Sequence, residues 1–361
     1  MTEVLLWRGG SFSAVSDHAT SGHTVAIDFV RSALTSAQRY GLDVRDYLHT
    51  AGISKELIGH DSSRVTPAQA TRLIQALWDS TDDELFGIGP KPVARGTFRM
   101  ITLGLIHSPD LRTALQRFVE FAGLALGFVA TDITDDGQTT RLILDPTGQT
   151  LTDQLLIDVL TAVSHRFSGW LIGEQIPLTA VEMPYPAPAH SDEYQLIYGL
   201  APTFNARNAS VSFDSKYLAA PVIRGEDDLL EFIRNSPADL LFRRDYHPTT
   251  ASRVRKILER SDRVSAEDVA RRLAVSPQHL RRLLREEGTS FREIREDILR
   301  DAAITSLVRG AETVENLSDR LGFSEPSAFR RAFRRWTGSS PGAYRPDADA
   351  AESPEPGTST S

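Results

Sequence analysis

The chain is 361 residues long, 40% hydrophobic and 24% charged, the profile of a globular protein with two or three domains of roughly 150 residues. It contains no cysteine, which excludes disulfide frameworks, thiolate metal sites, iron–sulfur clusters and cysteine nucleophiles. The net charge of −8 is unevenly spread: residues 249–346 carry 20 Lys/Arg against 14 Asp/Glu, with Lys256 the only lysine, while residues 1–248 carry 20 against 30.

A basic block on an acidic chain predicts a polyanionic partner. Arginine's rigid fork suits phosphate and guanine in particular. A salt-bridged helical surface would show the same composition, so charge alone leaves both readings open. No run of about 18 consecutive apolar residues suggests a membrane span. The start, Met1 to Arg8, lacks the basic flank and apolar stretch of a secretory signal. A cytoplasmic protein without a membrane partner is expected.

Taken in order, residues 1–24 are polar and aperiodic, a flexible arm. From Ile27 to about Gly127 apolar residues recur at helical spacing, as in Ile27-Val30-Leu34 and Leu111-Leu115-Phe118. Thr66-Pro67 and Ser108-Pro109-Asp110 mark helix starts. The period then changes: Phe128 to Thr134, Asp135-Asp136-Gly137 and Thr140 to Leu144 read as a β-hairpin. A helix from Asp153 to Ile172 and a strand from Leu178 to Met183 follow. Next come a helix near Asp192–Tyr198 and a strand pair around Phe204 and Val211–Phe213. Helices first and strands later predict an α+β domain over 25–224 for effector sensing and dimerisation. Residues 225–248 read as a helix ending in a linker. An all-α domain fills 249–346, and 347–361 is a Pro/Ser/Thr/Glu-rich tail expected to be disordered.

The basic block contains a duplication. Val264 to Leu284 and Val314 to Phe333 each read as a short helix, a tight turn and a second helix. Small residues on the first helix (Ala270, Ser318) allow a close crossing. Ala274 and Gly322 occupy the turn, where a large Cβ is expected to crowd. Ser276 and Ser324 offer caps for the second helix, with Pro277 in its first turn. The second copy has one extra residue before its buried anchor: four steps from Ser276 to Leu280, five from Ser324 to Phe329. Projected at 100° per residue, Leu280, Leu283 and Leu284 share one face and Gln278, Arg281, Arg282 and Arg285 the other. In the second copy Phe329, Ala332, Phe333 and Trp336 point inward, and Ser327, Arg330, Arg331 and Arg334 outward. Two such helices match what a recognition helix needs to enter the major groove.

The run Leu321 to Gly338, closing with Ser340-Pro341-Gly342-Ala343-Tyr344-Arg345, resembles the AraC/XylS family of transcriptional regulators. The wording Phe323-Ser324-Glu325-Pro326-Ser327-Ala328-Phe329 is similar to the ornithine-utilisation-regulator-like subgroup. The resemblance implies a sequence-specific regulator with a double helix-turn-helix domain, a long joining helix (Phe291 to Val308), and double-stranded promoter or operator DNA as partner. It also implies a small-molecule effector, a homodimer through the N-terminal domain, and contact with RNA polymerase. Carried over residue by residue, it makes Gln278, Arg281, Arg282, Ser327, Arg330 and Arg331 base readers, and Arg285, Arg334 and Arg335 phosphate contacts. Pro326 departs from the polar residue many members have, and Ser318 from their usual alanine. The N-terminal domain holds too much helix for the β-barrel sensor of the arabinose regulator, and the resemblance transfers no effector-binding residue. Trp78, Trp170, Phe118, Phe121 and Phe128 read as core.

Other chemistries find no support. The nine histidines show no ligand spacing, Gly87 to Lys91 lacks the phosphate-loop pattern, Asp135-Asp136-Gly137 is a turn and the hydrolase Gly-x-Ser-x-Gly is missing. No catalytic residue, metal or cofactor is expected. The alternative reading is an enzyme or binding module that its basic domain only tethers to nucleic acid.

Overall fold

The computed structural model describes residues 23–126, 130–145, 154–235, 249–260, 264–310 and 312–346. Strand β1 (Val25–Ala26) runs directly into helix α1 (Ile27–Arg39), followed by α2 (Val44–Ala51) and α3 (Lys55–Ile58). Strand β2 (Arg64–Val65) returns antiparallel to β1 and opens α4 (Pro67–Thr81). The Thr66 hydroxyl accepts from Gln69 N and the Gln69 side chain accepts from Thr66 N, a reciprocal cap with Pro67 in the first turn. Helices α5 (Thr97–Ile106) and α6 (Leu111–Ala125) complete the helical layer, and Asp110 caps α6 at Thr113 N, 2.8 Å.

The hairpin expected around Asp135-Asp136-Gly137 is β3 (Ala130–Asp135) and β4 (Thr139–Asp145). Asp135 accepts from Gly137 N, and Asp136 from Gln138 N and Thr139 N. Together with β5 (Leu178–Glu182) and β6 (Ala209–Asp214) they form an antiparallel sheet in the order β3-β4-β6-β5. Between this sheet and the helical layer runs α7 (Gln154–Ile172). Among the described residues it is the one helix long and apolar enough to cross a membrane, yet it is buried along most of its length as the central helix of the core. Helix α8 (Asp192–Tyr198) lies where expected.

Three expectations change. Phe204 does not belong to a strand: the extended run breaks at Asn205, whose φ is +59°, and only Thr203 bridges to Glu182. The helix expected at the start of 225–248 forms as α9 (Glu226–Asn235), but it buries Leu229 and Phe232 in the sensor core and so belongs to the sensor and not to a linker, while 236–248 lie outside the described residues. At the other end, His23 and Thr24 were assigned to the arm but are buried. The rest of the arm, the tail 347–361 and Phe128 also lie outside the described residues.

Beyond residue 248 the described structure is helical: α10 (Thr250–Glu259), α11 (Ala266–Arg272), α12 (Pro277–Glu286), α13 (Phe291–Arg309), α14 (Val314–Arg320), α15 (Pro326–Thr337) and a 3₁₀ turn at Pro341–Tyr344. Helices α10 to α12 and the start of α13 enclose a separate small core of Val254, Leu258, Val269, Leu280, Leu284 and Ile294. The second half of this domain behaves differently: Ile304, Leu307, Leu317, Phe329, Phe333 and Tyr344 are continuous with the sensor core.

The loop between α4 and α5 is organised by one carboxylate. Asp83, fully buried, accepts from Leu85 N, Gly87 N and Val93 N at 2.8–2.9 Å and from the Tyr40 hydroxyl at 2.9 Å. Burial and then Asp83 push the Tyr40 phenol up to about 12. Asp83→Ala strands three backbone donors, so urea unfolding is expected to show a loss of roughly 3 kcal/mol or more.

Candidate nucleic-acid interface

Both helix-turn-helix units form as the duplication implies. Ser265 and Asp268 make a reciprocal cap on α11, and Thr313 caps α14 at Asn316 N. In the first unit Ser276 caps α12 at His279 N, 3.1 Å, with Pro277 in the first turn. In the second, Ser324 is not the cap. Glu325 takes that position without a side-chain bond, because the extra residue shifts the helix start to Pro326.

The turn residues also need a different explanation. Ala274 and Gly322 adopt φ of +57° and +80°, and a Cβ placed on Gly322 meets nothing within 4 Å. The constraint is therefore the left-handed backbone, which β-branched residues resist. It is not crowding.

Helix α12 buries Leu280 and Leu284 and exposes Gln278, Arg281, Arg282 and Arg285. Helix α15 buries Phe329, Ala332 and Phe333, exposes Arg330, Arg331, Arg334 and Arg335, and leaves Ser327 half-buried. Several of these arginines touch carboxylates of their own domain: Arg282 with Glu286 (3.0 Å), Arg330 with Glu315 (2.8 Å), Arg331 with Glu325 (3.8 Å) and Arg335 with Glu296 (3.4 Å). Their side chains remain 54–72% exposed, so water and salt screen the pairs and the guanidinium groups stay accessible. The two units are joined by α13, a single 19-residue helix about 28 Å long, capped by Ser290 at Glu293 N and closed by Gly310 at φ +65°.

A buried polar seam connects α13 to the sensor. The Thr24 hydroxyl donates to Asp301 of α13 at 2.5 Å. Arg64 donates to the Thr24 hydroxyl and carbonyl at 2.6 and 2.8 Å, and forks onto Glu193 of α8 at 2.6 and 3.1 Å. Burial opposes the Arg64 charge, but Glu193, then Asp301 and Asp297, outweigh it and hold the guanidinium above its ordinary value. On the other side Arg255 and Arg300 approach Asp301 at 3.7 and 3.4 Å. The Tyr344 hydroxyl accepts from Arg64 N at 3.2 Å, Ser63 donates to Thr337 O at 3.3 Å, and Gln195 donates to Glu287 O. Sequence reasoning did not nominate these residues. One signal was available: Asp301 stands in the apolar stripe Ile294, Ile298, Ile304, Val308 of α13, where a carboxylate must find a partner.

The sensor contains a cavity of about 220 Å³ bordered by α4 to α7 and α9. A smaller one of about 70 Å³ is bordered by β1, α1, α4, α7 and α8, with Glu193 on its wall. Trp78 and Phe118, expected as plain core, line the larger.

An α+β sensor followed by two helix-turn-helix units with exposed arginine faces defines a DNA-binding transcription regulator. Residues 41–222 match the family described as "Arabinose-binding domain of AraC transcription regulator, N-term", and residues 269–347 match "Helix-turn-helix domain". The chain belongs to the AraC family of transcriptional regulators, with a ligand-binding N-terminal and a DNA-binding C-terminal domain. It is similar to the ornithine utilization regulator of Pseudomonas aeruginosa, 24% identical over 326 residues that span 89% of this chain and 96% of that protein. Over 76 residues it is 40% identical to the regulator VqsM of the same organism, 21% of this chain and 23% of that one. Among solved structures, the regulator CdpR from Pseudomonas aeruginosa is 21% identical, covers 88% of this chain and 98% of its own, and has a TM-score of 0.30.

Two outcomes follow for stability. Ala274→Gly is expected to be neutral or to stabilise by up to about 1 kcal/mol, and Gly322→Val to destabilise by more than that, in thermal unfolding of the full chain. Glu193→Ala leaves Arg64 buried without its carboxylate and is expected to cost roughly 3–5 kcal/mol, with Glu193→Ala/Arg64→Ala together costing less than the sum of the two single changes.

Proposed function

We propose that the chain is a sequence-specific regulator whose α12 and α15 read two successive major-groove segments on one face of a DNA site, under control of a small molecule bound by the sensor. The observation that carries this reading is the pair of exposed arginine faces joined by one uninterrupted helix. Gln278, Arg281, Arg282, Ser327, Arg330 and Arg331 contact base edges, where an Arg fork on guanine is worth about 1–3 kcal/mol of discrimination. Arg285, Arg334 and Arg335 hold phosphates and set register without reading sequence. Recognition helices about one DNA turn (~34 Å) apart suit a site of roughly 20 base pairs. Self-association through the sensor and contact with RNA polymerase, both implied by the family, complete the reading, and the protein works in the cytoplasm alongside the chromosome.

A mobility-shift titration compares DNA carrying the chain's own upstream region with random DNA of equal length. Preferential binding is expected, together with a steep loss of affinity as salt rises. Arg282→Ala and Arg331→Ala together are expected to reduce the preference by at least about tenfold. A specificity ratio near one that the double substitution leaves unchanged overturns the reading.

A further inference from the structure

The larger sensor cavity has features that ordinary packing does not explain. Its volume of about 220 Å³ exceeds the ~150 Å³ apolar cavity that accommodates benzene. Five aromatic rings border it, those of Trp78, Phe86, Phe98, Phe118 and Phe167. One of them is held in a strained conformation: Phe86 has φ of +37°, in the loop that the Asp83 carboxylate gathers through Leu85 N and Gly87 N. Strain of this kind persists where the surrounding structure over-determines it, as at ligand clamps.

The polar groups on the wall are all engaged. Glu84 accepts from Gly96 N and Phe98 N at 2.7 and 2.8 Å. The Thr102, Ser164 and Ser168 hydroxyls donate to carbonyls of their own helices, and Thr97 to Ala94 O. The Trp78 indole donates to Glu84 O, and Arg95, at the exposed edge, pairs with Asp79 at 2.6 Å. A charged group entering the apolar body of this space would lose its water, and the ionic groups on the wall, Glu84 and Arg95, already hold partners of their own. The far wall includes Ile233 of α9, the last described sensor element before the segment leading to the DNA-binding domain.

We propose that this cavity binds a neutral, compact hydrophobic molecule with an aromatic body of about ten heavy atoms, and that filling it is the effector event. The second half rests on the proposed function; the first does not. Ring-on-ring contact with the five aromatics supplies recognition, and pressure on Ile233 gives a route from the occupied cavity to α9.

The test uses the full chain and three probes sharing one body: 2-naphthol, 2-naphthoate and 2-naphthylmethylamine, each titrated by calorimetry at neutral pH. The neutral probe is expected to bind, and the two charged ones at least about tenfold more weakly. Ala114→Leu on α6 and Val163→Phe on α7 fill the space from two different helices, and each correctly folded variant is expected to lose 2-naphthol binding. Equal or tighter binding of either charged probe, or unaltered binding by both filled variants, overturns the site. Binding of 2-naphthol that leaves affinity for the upstream DNA unchanged overturns the effector role alone. Absence of DNA preference without any probe counts against the proposed function instead.

Discussion

The arrangement of the two halves depends on a carboxylate with no solvent exposure. Asp301 sits in the helix that joins the DNA-reading units, and it receives the Thr24 hydroxyl from the sensor. Taking a carboxylate out of water costs several kcal/mol unless its partners are well placed. Here they are supplied from both sides. Arg255 and Arg300 belong to the same domain as Asp301, just as Glu193 belongs to the same domain as Arg64. If the halves part, each leaves with its charge already paired. The hydroxyl of Thr24 spans the gap between the two pairs. Such a seam fixes the orientation of α13 against the sensor.

The two reading units do not share this contact equally. The first has a small core of its own, separate from that of the sensor. The second continues the sensor core through Ile304, Leu307, Phe329 and Phe333, and its closing turn places Tyr344 against Arg64. Strand β2 meets the closing turn of the second unit through Arg64 N and Tyr344, and α8 meets the end of α12 through Gln195 and Glu287. Asp301 lies near the middle of the helix that joins the two units.

What could be read from the sequence was local. Thr66, Asp110 and Ser276 announce helix starts because a cap is satisfied within three residues, and Asp135 and Asp136 announce the hairpin in the same way. The arginine faces were legible because helical period alone decides which side a residue occupies. Misreadings occurred where one residue changes the geometry: Asn205 ends an apparent strand, and the extra residue before Phe329 displaces Ser324 from the cap. The seam was out of reach because Thr24 and Asp301 lie 277 positions apart. The cavity was hidden for another reason. Trp78 and Phe118 would occupy a solid core equally well, and only their packing distinguishes a wall from a filling.

The carboxylates beside the exposed arginines bear on the specificity that the proposed function requires. Glu286, Glu315 and Glu325 lower the net charge of the face, which weakens attachment to any phosphate backbone irrespective of sequence. Each exposed pair is worth only about 0–1 kcal/mol, so surrendering it costs little when a guanine offers about 1–3 kcal/mol. On random DNA that gain is missing and the pair persists. On the proposed reading, the acids interspersed through the basic block, which at first sight dilute a DNA-binding signal, would widen the gap between right and wrong sites.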